Sequence, residues 1–287
     1  MTIQNITAQL PFVDISRFHG SAQERQAFIE DLKVILHDHG FFYLVGHGVD
    51  PQLIAEVVAA SKRFFALPLE EKLKIEMVKS PHFRGYNRAG YERTRGQQDW
   101  REQLDINTEG EPVEIGPDTP AWKRLFGPNQ WPDALPELKP LLLAYQAEVT
   151  RIGIDVLKAI AVALGQPEDV FAEIYEPQPS QLLKIIRYPG REVAETDQGV
   201  GAHKDGGFVT VLLQDTVPAC ASRRKTASGC RPRPCPAPSS STPESCWNLR
   251  PTASCVPTYM TSSPRRPARN ASRSPSSSAP AMTQPSL

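Results

Sequence analysis

Residues 201–214 restrict the fold of this chain more than any other segment, because a histidine and an aspartate stand two positions apart just before a strand-like run. The run at 208–214 reads Phe-Val-Thr-Val-Leu-Leu-Gln, and β-branched and aromatic residues of this kind favour buried strands. On extended backbone, residues i and i+2 face the same side. His203 and Asp205 can therefore present an imidazole nitrogen and a carboxylate oxygen to one point in space.

Such a pair can bind a metal ion. A histidine and a carboxylate are two of the three ligands in the two-histidine, one-carboxylate site that holds Fe(II) and leaves positions open for substrate and O2. The glycines at 201, 206 and 207 let the backbone turn and let a ligand approach closely. Because His-x-Asp also occurs by chance in solvated loops, the motif alone does not distinguish a metal site from a solvated loop. We predict His203 and Asp205 as metal ligands and as the catalytic residues.

The apolar pattern ends near residue 218. Residues 219–287 contain no Ile, Phe or Asp but 12 Pro and 15 Ser, and their net charge is about +9 against about −9 for the first 218 residues. A segment with so few large apolar side chains cannot bury enough surface to offset the entropy lost when its backbone is ordered. All five cysteines lie in this tail, but their odd number and the lack of Cys-x-x-Cys spacing argue against a metal or disulfide framework.

Overall charge and the length of apolar runs exclude several classes of protein. Lys+Arg and Asp+Glu both number 32, and this balance argues against a general nucleic-acid or membrane-surface binder. No apolar run approaches the ~18 residues of a membrane span. The first residues lack the basic stretch and apolar core of a signal peptide. We therefore expect a cytoplasmic protein that binds neither a membrane nor a specific nucleic acid.

Local signals predict the elements of the first half. We expect a strand at 10–15, a helix begun by the capping box of Ser21 and Glu24, a buried strand and turn at 40–49, and a second helix begun by Asp50 and a proline. Apolar residues at helical spacing predict a long helix over 137–164. His47, in the turn, is a candidate metal ligand, but a structural role is favoured because no carboxylate stands two residues away.

Segment 83–106 mixes aromatic, glycine and charged residues, as loops that line pockets often do. Arg84, Tyr86 and Tyr91 are candidate substrate contacts there, and Arg187, in the strand predicted at 182–189, is a fourth. The alternative is that the arginines lie on the surface and the tyrosines serve packing. The four together favour an anionic or polar substrate.

From Leu10 to Val217 the chain resembles the isopenicillin-N-synthase-like family of 2-oxoglutarate/Fe(II)-dependent oxygenases. The matching pieces stand in the family's order: Pro-Phe-Val-Asp at 11–14, Gly-Phe-Phe-Tyr-Leu-Val-Gly-His-Gly at 40–48, Phe-Phe-Ala-Leu-Pro at 64–68, Arg-Gly-Tyr at 84–86, Ile-Arg-Tyr-Pro at 186–189 and Gly-Ala-His-Lys-Asp at 201–205. The resemblance implies Fe(II), 2-oxoglutarate and O2 as cofactor and cosubstrates. It also implies His203 and Asp205 as iron ligands and Tyr188 as a contact of the cosubstrate.

The fold implied by the resemblance is α+β, with a double-stranded β-helix (jelly-roll) core behind a helical N-terminal region. We divide the chain accordingly into an N-terminal dioxygenase region at 1–115, a long helix and the first part of the jelly roll at 116–218, and a tail at 219–287. In the tail we expect the C-terminal strands of the jelly roll to be missing or disordered.

The tail departs from the family. The family has a second iron-binding histidine and an Arg-x-Ser that pairs with the 2-oxoglutarate carboxylate, whereas no histidine follows His203 here. A slipped coding frame near 217–219 would explain both losses. In the shifted frame, the codons of 256–263 can encode Ala-Asp-Val-His-Asp-Val-Val, and the histidine codon spans the codons of Tyr259 and Met260. In the same frame, the codons of 270–278 can encode Arg-x-Ser. The alternative is a natural disordered tail.

Three hypotheses for function remain. The first is a dioxygenase that oxidises a small-molecule substrate and releases succinate and CO2, with ethylene formation from 2-oxoglutarate as a variant of the same chemistry. The second is a catalytically impaired remnant without the second iron histidine and the 2-oxoglutarate arginine. The third, ranked last, is a module whose basic tail contacts nucleic acid weakly and in a salt-sensitive way.

Overall fold

A computed structural model of the chain describes residues 10–189, 196, 198–203, 205–213, 220–223, 247–251 and 259–262, the last three ranges through their backbone. The described α-helices are α1 (Ala22–Asp38), α2 (Pro51–Ala66), α3 (Leu69–Lys74), α4 (Leu138–Ala163) and α5 (Ala172–Tyr175). Short 3₁₀ turns lie at Ile15–His19, Met77–Lys79 and Ala121–Leu125. Among the helices in these ranges, none is long and apolar enough to cross a bilayer.

Twelve strands fall within the described ranges. They are β1 (Phe12–Asp14), β2 (Phe42–Val45), β3 (Gly85–Asn87), β4 (Arg93–Thr94), β5 (Gln97–Gln98), β6 (Glu102–Asn107), β7 (Leu182–Arg187), β8 (Val200–His203), β9 (Val209–Leu213), β10 (Cys220–Arg223), β11 (Trp247–Pro251) and β12 (Tyr259–Ser262). They pair in the orders β1-β2-β11-β9, β10-β12-β8, β3-β6-β7 and β4-β5. The molecule therefore combines helices with several small sheets.

The helix starts follow the capping signals in the sequence. The Ser21 hydroxyl accepts a hydrogen bond from the Glu24 amide, and the Glu24 carboxylate accepts one from the Ser21 amide, so the predicted capping box is confirmed. Asp50 caps α2 by accepting from the Gln52 amide, with Pro51 in the first helical position. The long helix α4 lies within one residue of its predicted bounds at each end.

The hydrophobic core lies between these helices and the sheets. Helices α1 and α2 both pack against α4. Phe28 and Leu32 of α1, Phe64 of α2 and Leu142 of α4 belong to one buried cluster. Strand β6 adds Leu104 and Ile106 to this cluster. The sheet β3-β6-β7 is thereby fixed against the helices, and this positions the residues discussed below.

Strands β10, β11 and β12 lie in the tail, where we expected the C-terminal strands of the jelly roll to be missing or disordered. Strand β11 pairs antiparallel with both β2 and β9, and β12 pairs antiparallel with both β8 and β10. An open sheet edge offers unpaired N–H and C=O groups to any extended segment. Because this pairing uses backbone atoms, side-chain periodicity gave no sign of it.

Candidate metal site and its surroundings

His203 and Asp205 converge as the sequence predicts. The His203 Nε2 atom lies 3.2 Å from Asp205 Oδ1. Strand β8 ends at His203, so the pair sits where the strand ends rather than along a continuous strand. The two side chains thus present one nitrogen and one carboxylate to the same small volume.

The second ring nitrogen of His203 is held by the backbone. His203 Nδ1 lies 2.8 Å from the Gly201 carbonyl oxygen. A carbonyl accepts only, so Nδ1 carries a proton, and Nε2, which here faces Asp205 Oδ1, is the nitrogen that could bind a metal. The pKa of His203 is raised, first by its hydrogen bond with Asp205 and then by the Gly201 carbonyl, while burial and the Arg101 charge act against the rise.

Asp99 anchors the strand that carries His203. Its Oδ1 accepts hydrogen bonds from the Gly201 amide at 3.0 Å and from Gln198 Nε2 at 2.8 Å, and its Oδ2 accepts from Thr94 Oγ1 at 2.6 Å. The Asp99 side chain is buried. A Cβ atom at Gly201 would lie 2.6 Å from Thr94 Cβ, so only glycine allows β8 to come this close to β4. The position of His203 therefore depends on Asp99 and Gly201.

Asp99→Ala is expected to lower the free energy of unfolding by about 2–4 kcal/mol, because three hydrogen bonds are lost and the Gly201 amide is left buried without its acceptor. Urea unfolding followed by circular dichroism measures this loss. The control is Asp118→Ala, at an exposed position, which should change stability by no more than about 0.5 kcal/mol. Equal losses in the two variants would show that Asp99 does not hold β8.

Among the described residues, only the two predicted ligands His203 and Asp205 come together, without a third His, Cys, Asp or Glu beside them. They contain no group of three or more His, Cys, Asp or Glu side chains that could bind a metal together. In the β8–β12 pair, Met260 is the residue directly opposite His203. Fe(II) in sites with open positions prefers two histidines and a carboxylate, so a methionine here does not complete that set. The residues present fit two positions of the predicted iron site and leave the third unfilled.

Tyr188 is linked to Arg101, which lies near Asp99. It forms a hydrogen bond with Arg101. Burial lowers the pKa of Arg101, but interactions with Tyr188 and Glu92 together outweigh burial and leave that pKa raised. The Arg101 guanidinium is 3.9 Å from Asp99 Oδ2. Tyr188 is thus connected through Arg101 and Asp99 to the strand that bears His203. Its predicted contact with the cosubstrate stays a prediction.

Arg84 is placed in the interior rather than on a pocket wall. Its Nη1 donates to the carbonyl oxygens of Thr108 at 3.0 Å and Gly127 at 2.5 Å, and its Nη2 donates to the Leu125 carbonyl. The side chain is 2% exposed. These contacts fasten the irregular segment 108–129 to β3. They favour a structural role for Arg84. Its side chain is buried, whereas the structural alternative placed the arginines on the surface.

Tyr86 and Arg187 meet at a buried carboxylate. Tyr86 donates to Glu102 Oε2 at 2.6 Å, Arg187 Nη1 donates to Glu102 Oε1 at 2.8 Å, and Lys72 Nζ lies 2.9 Å from Glu102 Oε2. Burial, and then the hydrogen bond to Glu102, raise the pKa of Tyr86 well above its usual value. About half of the Arg187 side chain is exposed, so Arg187 alone of this group reaches solvent.

Tyr91 and His47 have other surroundings. Tyr91 is 54% exposed, its hydroxyl accepts from Arg88 Nη2 at 2.6 Å, and the Arg88 guanidinium lies over its ring. His47 is buried, and its Nδ1 accepts from the Val49 amide at 3.1 Å within the turn before α2. The turn contact favours the structural role for His47. The structure brings neither residue to His203.

Sequence reasoning missed Lys72, Asp99, Glu102, Gln103 and Asp105. A signal for three of them was present, since β6 reads Glu-Gln-Leu-Asp-Ile-Asn and all residues up to Ile106 are buried. Polar residues rarely occupy a strand that is buried on both faces unless they are paired or bind something. Strand β6 therefore carries buried polar side chains on both of its faces.

Comparison with known proteins identifies the family. Residues 10–134 match the family model described as the N-terminal region of non-haem dioxygenases in morphine synthesis. The chain is 40% identical over 210 residues to the 2-oxoglutarate-dependent dioxygenase frbJ of Dothideomycetidae sp. and spans 55% of its length. It is 34% identical over 232 residues to the homoarginine-6-hydroxylase 2-ODD-233 of Oryza sativa subsp. japonica and spans 70% of its length.

A solved structure shares the fold at low sequence identity. The full-length T7H of Neurospora crassa, crystallised with alpha-KG, superimposes with a TM-score of 0.72 at 21% identity, over 93% of this chain and 82% of that one. The matched N-terminal family model and the rice relative indicate the same family, and the solved structure shares the fold. The chain belongs to the family of 2-oxoglutarate/Fe(II)-dependent dioxygenases.

Proposed function

We propose that the chain is built for 2-oxoglutarate-dependent oxidation of a small-molecule substrate at the site of His203 and Asp205. The observation that carries this proposal is the 3.2 Å approach of His203 Nε2 to Asp205 Oδ1 in a member of this family. Bound Fe(II) would supply oxidation of a substrate by O2, coupled to conversion of 2-oxoglutarate to succinate and CO2. As part of the same proposal, the core of the chain is a double-stranded β-helix whose first part lies at 116–218.

The chain's own residues have definite tasks in this proposal. His203 offers Nε2 and Asp205 a carboxylate oxygen to the iron, while the Gly201 carbonyl keeps the His203 ring in one orientation. Asp99 fixes the strand under the ring. Tyr188 would contact 2-oxoglutarate near Arg101. Each of these groups binds or orients, and the oxidation itself belongs to the metal and its cosubstrates.

One observation favours a second candidate, a catalytically impaired form of the enzyme. Met260 stands opposite His203 in the β8–β12 pair, at the place where a shifted coding frame would read histidine. The same frame would supply the Arg-x-Ser that the tail lacks. In this candidate the fold up to 213 is that of the active enzyme, and the defect lies in the tail. Sequencing the gene for a shifted frame near 217–219 tests this origin.

An assay of 2-oxoglutarate turnover tests the proposal. The full chain is incubated with Fe(II), ascorbate, O2 and 2-oxoglutarate, and succinate is measured by NMR beside the variant His203→Ala. Succinate that depends on Fe(II) and disappears in the variant supports the dioxygenase. No succinate from this chain, but succinate from a frame-corrected chain, supports the impaired form. Succinate formed equally by His203→Ala would overturn the assignment of the site.

A further inference from the structure

Two short surface segments each place charge between two exposed apolar side chains. Segment 122–125 reads Trp-Lys-Arg-Leu, and Trp122 and Leu125 are 58% and 49% exposed. Segment 113–115 reads Val-Glu-Ile, and its two apolar residues are 39% and 38% exposed. We call the first segment the basic strip and the second the acidic strip. Apolar side chains that are grouped on a surface, rather than scattered singly, mark a site of interaction.

The charges of the two strips do not pair with each other in one molecule. Among the described residues, Glu114, Lys123 and Arg124 form no ion pair, and Glu114 and Arg124 are exposed. Lys123 Nζ instead lies 5.9 Å from the centre of the Trp122 ring. A tight turn at 116–119, closed by a backbone hydrogen bond of 3.1 Å, separates the strips along the chain. Both strips therefore offer their charges to another molecule.

Phe83 extends the apolar surface beside the basic strip. Its φ is 58°, a strained backbone conformation for an aromatic residue, and yet its ring is 68% exposed. The residues on either side hold it there, because His82 Nδ1 donates to the Arg124 carbonyl oxygen at 2.9 Å and Arg84 donates to the Leu125 carbonyl. Strain that is retained at an exposed ring suggests a functional contact of that ring.

Charge complementarity favours a second copy of this chain as the partner. The basic strip brings two cations and the acidic strip brings a carboxylate, so each strip matches the other strip of a second molecule. Most oligomers of identical chains are two-fold dimers, in which the symmetry axis repeats every contact. An anionic lipid surface fits less well, because the acidic strip and the net charge of about −9 over residues 1–218 would be repelled.

We propose that the chain forms a two-fold dimer in which Glu114 of each copy pairs with Arg124 of the other. The apolar side chains of both strips, together with Phe83, form the buried centre of this interface. Apolar burial supplies most of the attraction, while the exposed charge pairs fix the register and exclude wrong partners. The proposal uses none of the residues assigned to the metal site and does not depend on the proposed function.

Sedimentation velocity of the full chain over a range of protein concentrations tests the proposal. We expect a concentration-dependent equilibrium between monomer and dimer. Arg124→Glu and Glu114→Lys should each weaken self-association by at least about tenfold, because each brings like charges together across the interface. The matched control is Lys33→Glu, at an exposed position of α1, which should leave self-association unchanged.

Mixing the two weakened variants gives the sharpest test. In a mixed dimer the new glutamate faces the new lysine, and the two unaltered charges complete the second contact. Mixing should therefore restore dimers, and this rescue would also show that both variants are folded. Trp122→Ser should weaken the dimer through lost apolar contact, whereas Val34→Ser should not, although Val34 is equally exposed at 59%.

Three results would overturn the proposal. The first is a chain that stays monomeric at every concentration; if that chain sediments with phosphatidylserine vesicles, the surface belongs to a lipid layer instead. The second is a dimer that Arg124→Glu and Glu114→Lys leave unchanged, since its contacts then lie elsewhere. The third is a mixture of the two variants that stays monomeric although circular dichroism shows both to be folded.

Discussion

Met260→His is expected to raise the Fe(II) affinity of the chain by about tenfold or more, which corresponds to about 1.4 kcal/mol. The reason is the register of β8 and β12, which sets position 260 directly across from His203. Residues directly opposite on antiparallel strands have Cβ atoms about 4.5–5.5 Å apart. A histidine there would add the second imidazole of a two-histidine, one-carboxylate site. Anaerobic calorimetric titration with Fe(II) measures the gain.

The control for this variant is Asp118→His, at an exposed position outside both β8 and β12. A histidine there should bring little or no gain in Fe(II) affinity. If Asp118→His gained as much as Met260→His, the added imidazole would be acting non-specifically. If neither gained, β12 would not lie beside the candidate iron ligands as described.

Glu102→Gln is expected to lower the free energy of unfolding by about 3–5 kcal/mol. The side chains of Glu102 and Lys72 are each 7% exposed, and Lys72 Nζ otherwise donates to the Phe65 carbonyl oxygen. Neutralising the carboxylate leaves the buried ammonium without its counter-charge, which is the costly way to break a buried ion pair. Tyr86 and Arg187 lose a charged acceptor as well. Urea unfolding of the variant measures the loss.

Two further variants separate the charge from the position. Glu111→Gln, on an exposed loop, should change stability by at most about 0.5 kcal/mol. Adding Lys72→Met to Glu102→Gln should recover part of the lost stability, because the uncompensated ammonium is then gone. A loss from Glu102→Gln no greater than that from Glu111→Gln would mean that the buried pair contributes little.

Elements with strong local signals could be predicted from the sequence. The capping box at Ser21, the Asp50–Pro51 start of α2 and the apolar stripe of α4 each act within a few turns of chain, so neighbouring residues determine them. The closeness of His203 and Asp205 was predicted too, although β8 ends at His203 and the two residues do not share one strand.

Features that depend on distant partners could not be predicted from the sequence. Arg84 is fixed by carbonyl oxygens more than 20 residues away, and Asp99 holds an amide about 100 residues further on. Strand β11 pairs between β2 and β9, and β12 pairs between β10 and β8. These pairings use backbone groups, which leave no periodic pattern in side chains. The set of buried polar side chains on β6 arises because β6 lies between two strands and is buried on both faces.

Anaerobic equilibrium dialysis with Fe(II) tests most directly whether His203 and Asp205 bind iron together. The measurement compares the full chain with His203→Ala and Asp205→Ala, each shown by circular dichroism to be folded. We expect one saturable Fe(II) per chain, with affinity at least about tenfold lower in both variants, because each removes one of the two ligands. Unchanged Fe(II) binding in either folded variant would contradict the assignment of this pair as the metal site.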